Sequence, residues 1–407
     1  MWKYLLTFGI LAAGIERLEG AKSKVLRIKP TNEEQIDVLL DLIDIYHLDV
    51  WKSTQLPKPT FDILVKNAKV EKSLHEEHIP YNVMVHDVDK LMENEQKSNQ
   101  KLAFSSGYDY SKYGTWDEIL SEIKNLANIH SNKASLFNVG KTFEKRDQIG
   151  IKITNGDGND KPVIWVDGGI HAREWISPAS VIYLVKQLLT SDSDTIKSAL
   201  SKYDFHILPV FNIDGFVYTH KSKETRLWRK TRTKSGYKCI GVDPNRNWGS
   251  HFGGKGTSDD PCSNIYHGKY AFSEISVQNV ATYLANLPHL KAYWNVHAYS
   301  NLVLTPWSYT TELPKDYEEI KRVGDVYAKE VVKRYGTKYT VGPPGEILYP
   351  VGGGSIDWTY EALGVIYSYA LELRDNGKYG FLLPTDQIIP CAEEFTDALI
   401  ASVLAMK

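Results

Sequence analysis

The sequence predicts an α/β protein: a large domain around a mixed sheet, preceded by a small ferredoxin-like α+β domain. Three observations predict it. Up to Val85 the apolar pattern runs β-α-β-β-α-β. A highly polar stretch over residues 87–101 then interrupts it. Beyond that stretch, short β-branched runs alternate with amphipathic helical ones.

The chain opens with Met1-Trp2-Lys3 and an apolar run over residues 4–14 that Glu16, Arg17 and Glu19 end abruptly. That length suits a signal-peptide core and is too short to span a bilayer. Residues 1–20 are therefore expected to be a leader, cut somewhere between 14 and 21, and the protein to be secreted. Residues 25–28 read as a strand, Thr31 and Glu34 as a capping box, and Ile36, Leu39, Leu40 and Ile43 as a helix face. Strands follow near 48–51 and 61–65, a helix over 68–77 and a strand over 81–85. Residues 87–101 read as a polar helix with little apolar surface to hold it, a place for a trypsin-like protease to cut after Lys97 or Lys101.

In the second domain Thr115 and Glu118 open a helix. Strands are expected at 135–140, 150–153, 162–166, 203–211, 292–296 and 364–372, and helices at 178–189, 315–335 and 391–406. Of 407 residues 42% are apolar and 24% charged, with a formal net charge of -2 and no long basic run, so neither nucleic acid nor an anionic membrane is expected as partner. The short cluster Arg226, Arg229, Lys230 and Arg232 reads either as a solvated basic loop or as an anion-binding wall of the site. Of three cysteines, Cys239 and Cys262 flank a loop rich in Gly, Asn and Asp and are paired here, while Cys391 lies in an apolar helix pattern as a buried small hydrophobe.

The chemistry concentrates at His171-Ala172-Arg173-Glu174-Trp175 and at the distant His297. The apolar run 162–166 stops at Asp167-Gly168-Gly169, which places His171 and Glu174 in a loop at a strand's carboxyl end, before a helix opened by Ser177-Pro178. Two imidazoles and a carboxylate fill three positions of a tetrahedral zinc and leave the fourth for a water, which the metal acidifies to a pKa of about 7.

Six segments reach further: HAREW at 171–175, RLWRKTR at 226–232, GVDPNRNW at 241–248, WNVHAYS at 294–300, GGSIDW at 353–358 and ELRDNGKYGFLLP at 372–384. Together, in this order, they make the chain resemble the secreted zinc carboxypeptidases of the pancreatic A/B type over about its whole length. The resemblance implies an eight-stranded mixed sheet flanked by helices over residues 102–407, and an inhibitory activation peptide over 22–101. It implies one Zn2+ per chain on His171, Glu174 and His297, Glu372 as general base, and Arg229 as the cation that polarises the scissile carbonyl. Asn245, Arg246 and Tyr349 match the residues that grip the substrate's terminal carboxylate, with Tyr349 as a lid beside Gly352-Gly353-Gly354. Arg173 and Tyr299 match outer peptide subsites.

The implied partners are peptides with a free C-terminus, the chain's own propeptide as inhibitor and a trypsin-like activator. At the family position that carries an acid in enzymes with basic preference this chain has Ile356, and Ala370 lies two residues before Glu372, so an apolar or aromatic C-terminal residue is expected. The alternatives are a carboxypeptidase with basic preference, its acid supplied by another wall, and a catalytically silent zinc- or peptide-binding module. The chain departs from the family's pattern in one extra residue around 361–364 and in Pro350 and Val351.

Overall fold

The structure, a computed structural model, describes residues 22–54, 58–101, 107–157, 160–235 and 239–407. The expected leader lies outside the described residues.

The N-terminal unit is β1 (Lys24–Ile28), α1 (Glu33–Ile45), β2 (Asp49–Thr54), β3 (Thr60–Val65), α2 (Ala68–Glu76) and β4 (Tyr81–Val85), in a sheet ordered β2-β3-β1-β4. Alternation along β1 sends Leu26 and Ile28 inward, where they meet Leu39, Ile63, Val70 and Leu74 from the helices and β3. The cap of α1 sits one residue later than expected: Asn32 accepts from the Gln35 amide at 2.9 Å, and Thr31 is tied instead to the Gln35 side chain.

A helix, α3 (Val88–Lys101), leads to the second unit. Expected to be loosely held, it is anchored by charge. Glu95, on its inner face, is buried and accepts from Arg226 Nε at 2.6 Å and Nη2 at 2.9 Å. No local pattern announces this partner, because Arg226 lies far along the chain.

The large unit contains α4 (Trp116–Ile129), β5 (Ala134–Lys141), β6 (Asp147–Ile153), β7 (Val163–Gly168), α5 (Ile176–Thr190), α6 (Asp194–Lys202), β8 (Asp204–Leu208) and α7 (Ile213–Thr219). It continues with α8 (Ile275–Ala285), β9 (Leu290–Ala298), β10 (Leu302–Leu304), α9 (Tyr317–Tyr335), β11 (Thr340–Gly342), α10 (Pro344–Ile347), α11 (Ser355–Leu363), β12 (Tyr367–Leu373) and α12 (Ile388–Ala405). The expected capping box of α4 forms between Thr115 and Glu118.

Eight strands make one mixed sheet, ordered β11-β10-β12-β9-β7-β8-β6-β5, with β12, β9, β7 and β8 parallel. Helices cover both faces, so the central strands carry apolar residues on both sides: Trp294 and Val296 of β9 face one core, Tyr293 the other. Cys239 and Cys262 are bonded, and Cys391 is a buried free thiol.

Candidate metal centre and substrate cleft

Parallel strands present their carboxyl ends on one edge of the sheet, and the crevice outside that edge is where open α/β sheets place their sites. Here β7, β9 and β12 lie side by side. After β7 the chain turns at Gly169, whose φ of +64° is open to glycine at little cost. That turn brings His171 and Glu174 back over the strand end before α5 begins. His297 stands near the end of β9, and Glu372 is its register partner on β12.

The three expected ligands converge. His171 Nδ1 is 2.8 Å from Glu174 Oε1, and His297 Nδ1 is 3.1 Å from both His171 Nδ1 and Glu174 Oε2. All three residues are buried, and they form a cluster able to hold a metal ion. Donors each about 2.0–2.2 Å from a tetrahedral zinc stand roughly 3.3 Å apart, close to these separations. Two ring nitrogens turned towards each other and a carboxylate are the donor set that a dication satisfies.

Asp243 holds this cluster from behind. Its Oδ1 lies 3.1 Å from His171 Nε2, and its Oδ2 accepts from Arg229 Nε at 3.1 Å and Nη2 at 2.8 Å. Burial opposes its charge, but Arg229, Arg246 and His171 outweigh it and keep the carboxyl well below its usual range. A carboxylate behind a ligand imidazole fixes its tautomer and orientation. Sequence reasoning missed Asp243, although it lies in the quoted GVDPNRNW; the signal was a carboxylate at the start of a segment already full of site residues.

Glu372 is half-buried, one residue before β12 ends. Burial first, then the nearby Glu174 charge, push its carboxyl up to about 8, against the pull of His171, Arg229 and Lys52. The pair Glu372 and Arg374, geometrically open from the sequence, does not form: Arg374 donates to Glu394 at 2.8 and 2.6 Å. Glu372 is left facing the cavity.

Of the basic cluster only Arg229 lines that cavity. Arg226 is committed to Glu95 and stacked on Trp175, Lys230 donates to the Pro261 carbonyl, and Arg232 lies over Tyr218 and Trp228. The expected anion-binding wall is therefore a single guanidinium with structural neighbours.

Arg246, Asn245 and Tyr349 line the same cavity. Arg246 donates through Nε to the Gly256 carbonyl at 2.9 Å, through Nη1 to the Asn245 carbonyl at 3.0 Å and through Nη2 to the Tyr349 hydroxyl at 3.2 Å. Beside the expected Tyr349 lid, Gly352 and Gly353 are closely packed. A Cβ on Gly353 would stand 2.2 Å from the Arg246 carbonyl, and one on Gly352 2.3 Å from that of His251. These two glycines serve close backbone approach. Ile356 and Ala370 line the cavity with Leu304 and Ser308. Asp357 is turned away, its carboxylate accepting from the Ser308 amide at 2.9 Å.

The N-terminal unit closes the outer cleft. Asp49 of β2 accepts from Arg173 Nη1 at 2.7 and 2.9 Å, and Asp62 of β3 accepts from Tyr299 at 2.9 Å and from Arg27. Trp51 packs on Phe381 at 5.0 Å between ring centroids. Lys52 reaches the cavity that Glu372 lines, a contact no local pattern announces. The remaining space is about 130 Å³, comparable to a cavity that holds one benzene.

Residues 119–398 match the zinc carboxypeptidase family, and residues 26–95 match the carboxypeptidase activation peptide family. Carboxypeptidase A4 of Mus musculus is 39% identical over 96% of each chain. Carboxypeptidase B of Rattus norvegicus is 38% identical over 96% of this chain and 94% of that one. Among solved structures, the carboxypeptidase A from Helicoverpa armigera superposes with a TM-score of 0.85 at 26% identity, covering 95% of this chain and 97% of that one.

Proposed function

This chain belongs to the zinc carboxypeptidase family and carries that family's activation peptide, and from that premise we propose that it is a secreted zymogen whose active form removes apolar or aromatic C-terminal residues. One observation carries the reading. The half-buried carboxyl of Glu372 stands in register beside His297 of the ligand cluster, in the cavity that Arg229, Arg246, Ile356 and Ala370 also line.

His171, Glu174 and His297 would hold zinc, which when bound would supply an acidified water and a Lewis acid for the scissile carbonyl. Glu372 takes a proton from the attacking water on its carboxylate and gives it to the leaving amine, while the water's oxygen stays on the acyl carbon; a pKa near neutrality suits that two-way transfer. Arg229 meets the negative charge that grows on the carbonyl oxygen. Arg246 grips the terminal carboxylate, with Asn245 and Tyr349 beside it, so that only the last peptide bond reaches the metal. Ile356 and Ala370 accept an apolar side chain and offer nothing to neutralise a cation.

Residues 22–101 are proposed as the inhibitory propeptide and 102–407 as the catalytic domain. Lys97 is exposed on α3, and a trypsin-like protease is the proposed activator. Matched peptides ending in Phe, Leu, Arg and Glu test the reading. Chelator-sensitive release of Phe and Leu, only after trypsin, is expected. Release of Arg instead would assign specificity to another wall, and no release with zinc bound would make the protein a binding module.

The anchor of α3 sets the activation rate. Removing one partner of a buried ion pair costs about 3–5 kcal/mol, although Arg226 keeps its contacts to the Arg173 and Phe381 carbonyls. Glu95→Gln is therefore expected to speed tryptic activation at least tenfold, followed by the appearance of the cut chain on a gel. An unchanged rate would place the anchor elsewhere.

A further inference from the structure

The two ligand imidazoles are backed differently, and the difference reaches a second buried carboxylate. His171 rests on Asp243 directly. His297 turns its Nε2 to the side-chain oxygen of Asn295, two residues back on the same face of β9, and Asn295 donates through Nδ2 to Asp167. Asp167 is the register partner of Asn295 across β7 and β9, and its other oxygen accepts from Trp165 Nε1 at 2.6 Å. Trp165, Asp167 and Asn295 have no exposed surface at all.

We propose that Asp167 and Asn295 are positioning residues for the metal centre, a carboxylate–amide relay that fixes His297 in the tautomer whose Nδ1 faces the metal. Asp167 sets the order: burial pushes its carboxyl up to about 6, so it is ionised at alkaline pH. An ionised carboxylate only accepts, so the Asn295 side chain must turn its NH2 to Asp167 and its oxygen to His297. That oxygen accepts only from a protonated Nε2, which leaves Nδ1 with its lone pair directed at His171 and Glu174. Asn245 Nδ2 also approaches Nε2, at 3.4 Å, and would favour the opposite tautomer by donating. Asn295 is nearer and is itself fixed by a charge. The relay gives His297 a neutral acceptor where His171 has an anionic one, and holds its own carboxylate one residue further from the metal centre.

This inference rests on the zinc reading, and its test separates the two. Zinc affinity of the full-length protein is measured by chelator competition in Asp167→Asn, which is equal in size but cannot accept from both Trp165 and Asn295, and in Asn295→Leu. Outer partners of metal ligands are worth roughly 10- to 100-fold in affinity, and a loss of that size is expected in both. Val296→Ala, on the opposite face of β9, controls for lost packing and should bind zinc within about twofold of the parent under the same principle that only metal-facing partners matter.

Nitrogen-15 spectra of the metal-free parent at alkaline pH read the tautomer directly and need no variant to fold. Protonated Nε2 on His297 is expected. Protonated Nδ1, or unchanged zinc affinity in both variants, would overturn the relay. A parent that binds no zinc would overturn the metal centre instead.

Discussion

Glu372→Gln is expected to retain zinc and peptide binding and to lose nearly all turnover. The amide matches the carboxyl in size, so the cavity keeps its shape, and Glu372 is no member of the ligand cluster. What goes is the proton acceptor. A positioned acid–base group contributes typically about 10²–10⁴-fold, and kcat after activation should fall by at least that range while bound zinc stays stoichiometric. Substantial residual hydrolysis would remove Glu372 from its role as base.

The same substitution should act on stability with a defined sign. A carboxyl whose pKa is raised by folding favours the native state while protonated. That contribution is whole below its ordinary value of 4.5 and is lost as pH climbs through about 8. In the metal-free chain, Glu372→Gln should therefore raise the melting temperature above pH 8 and leave it nearly unchanged at pH 4. Bound zinc, a dication beside the carboxyl, should shrink the gap by favouring the ionised form. A metal-free variant no more stable than its parent at high pH would show that burial of this charge is relieved by something else.

The legible part of the site was the part written into strands. The run 162–166 ending in glycines announced a strand end, and periodicity placed Ala370 and Glu372 on one face; the structure sets both in the cavity. What stayed hidden depends on partners remote in sequence. Glu95 looked like one more polar residue of a polar helix until Arg226 met it, and Lys52 lies on a strand whose pattern records its own small core and nothing of the cleft it covers. Asp167 and Asn295 look like breaks in apolar strands; only the register of β7 against β9 makes them neighbours. Helices α7 and α11 escaped for another reason. Both are short, and α7 carries a glycine and β-branched residues that propensity alone assigns elsewhere.

Replacing the two cavity guanidiniums should damage different steps. Arg229 is held through Asp243 beside the ligand cluster, with Nη1 3.8 Å from Glu174. Burial works against its charge, but Asp243 and Glu174 keep it protonated, and it is poised where the carbonyl oxygen gains charge. Loss of one such donor costs about 2.7–4 kcal/mol, or 10²–10³ in kcat. Arg229→Gln should show that loss with KM little changed and zinc still bound, since Asp243 keeps its contact to His171.

Arg246 lies farther out, tied to Tyr349 and backbone carbonyls, and a terminal carboxylate would meet it in the ground state as well as in the transition state. Removing one side of a buried charge pair costs about 2–5 kcal/mol, and for Arg246→Gln it should appear mainly in KM. Peptides amidated at the C-terminus sharpen the contrast. The parent and Arg229→Gln should both prefer the free acid, whereas Arg246→Gln should cleave acid and amide at similar kcat/KM, because the group that recognised the chain end is gone. An Arg246 variant that still discriminates would move recognition of the terminus to Asn245 or Tyr349.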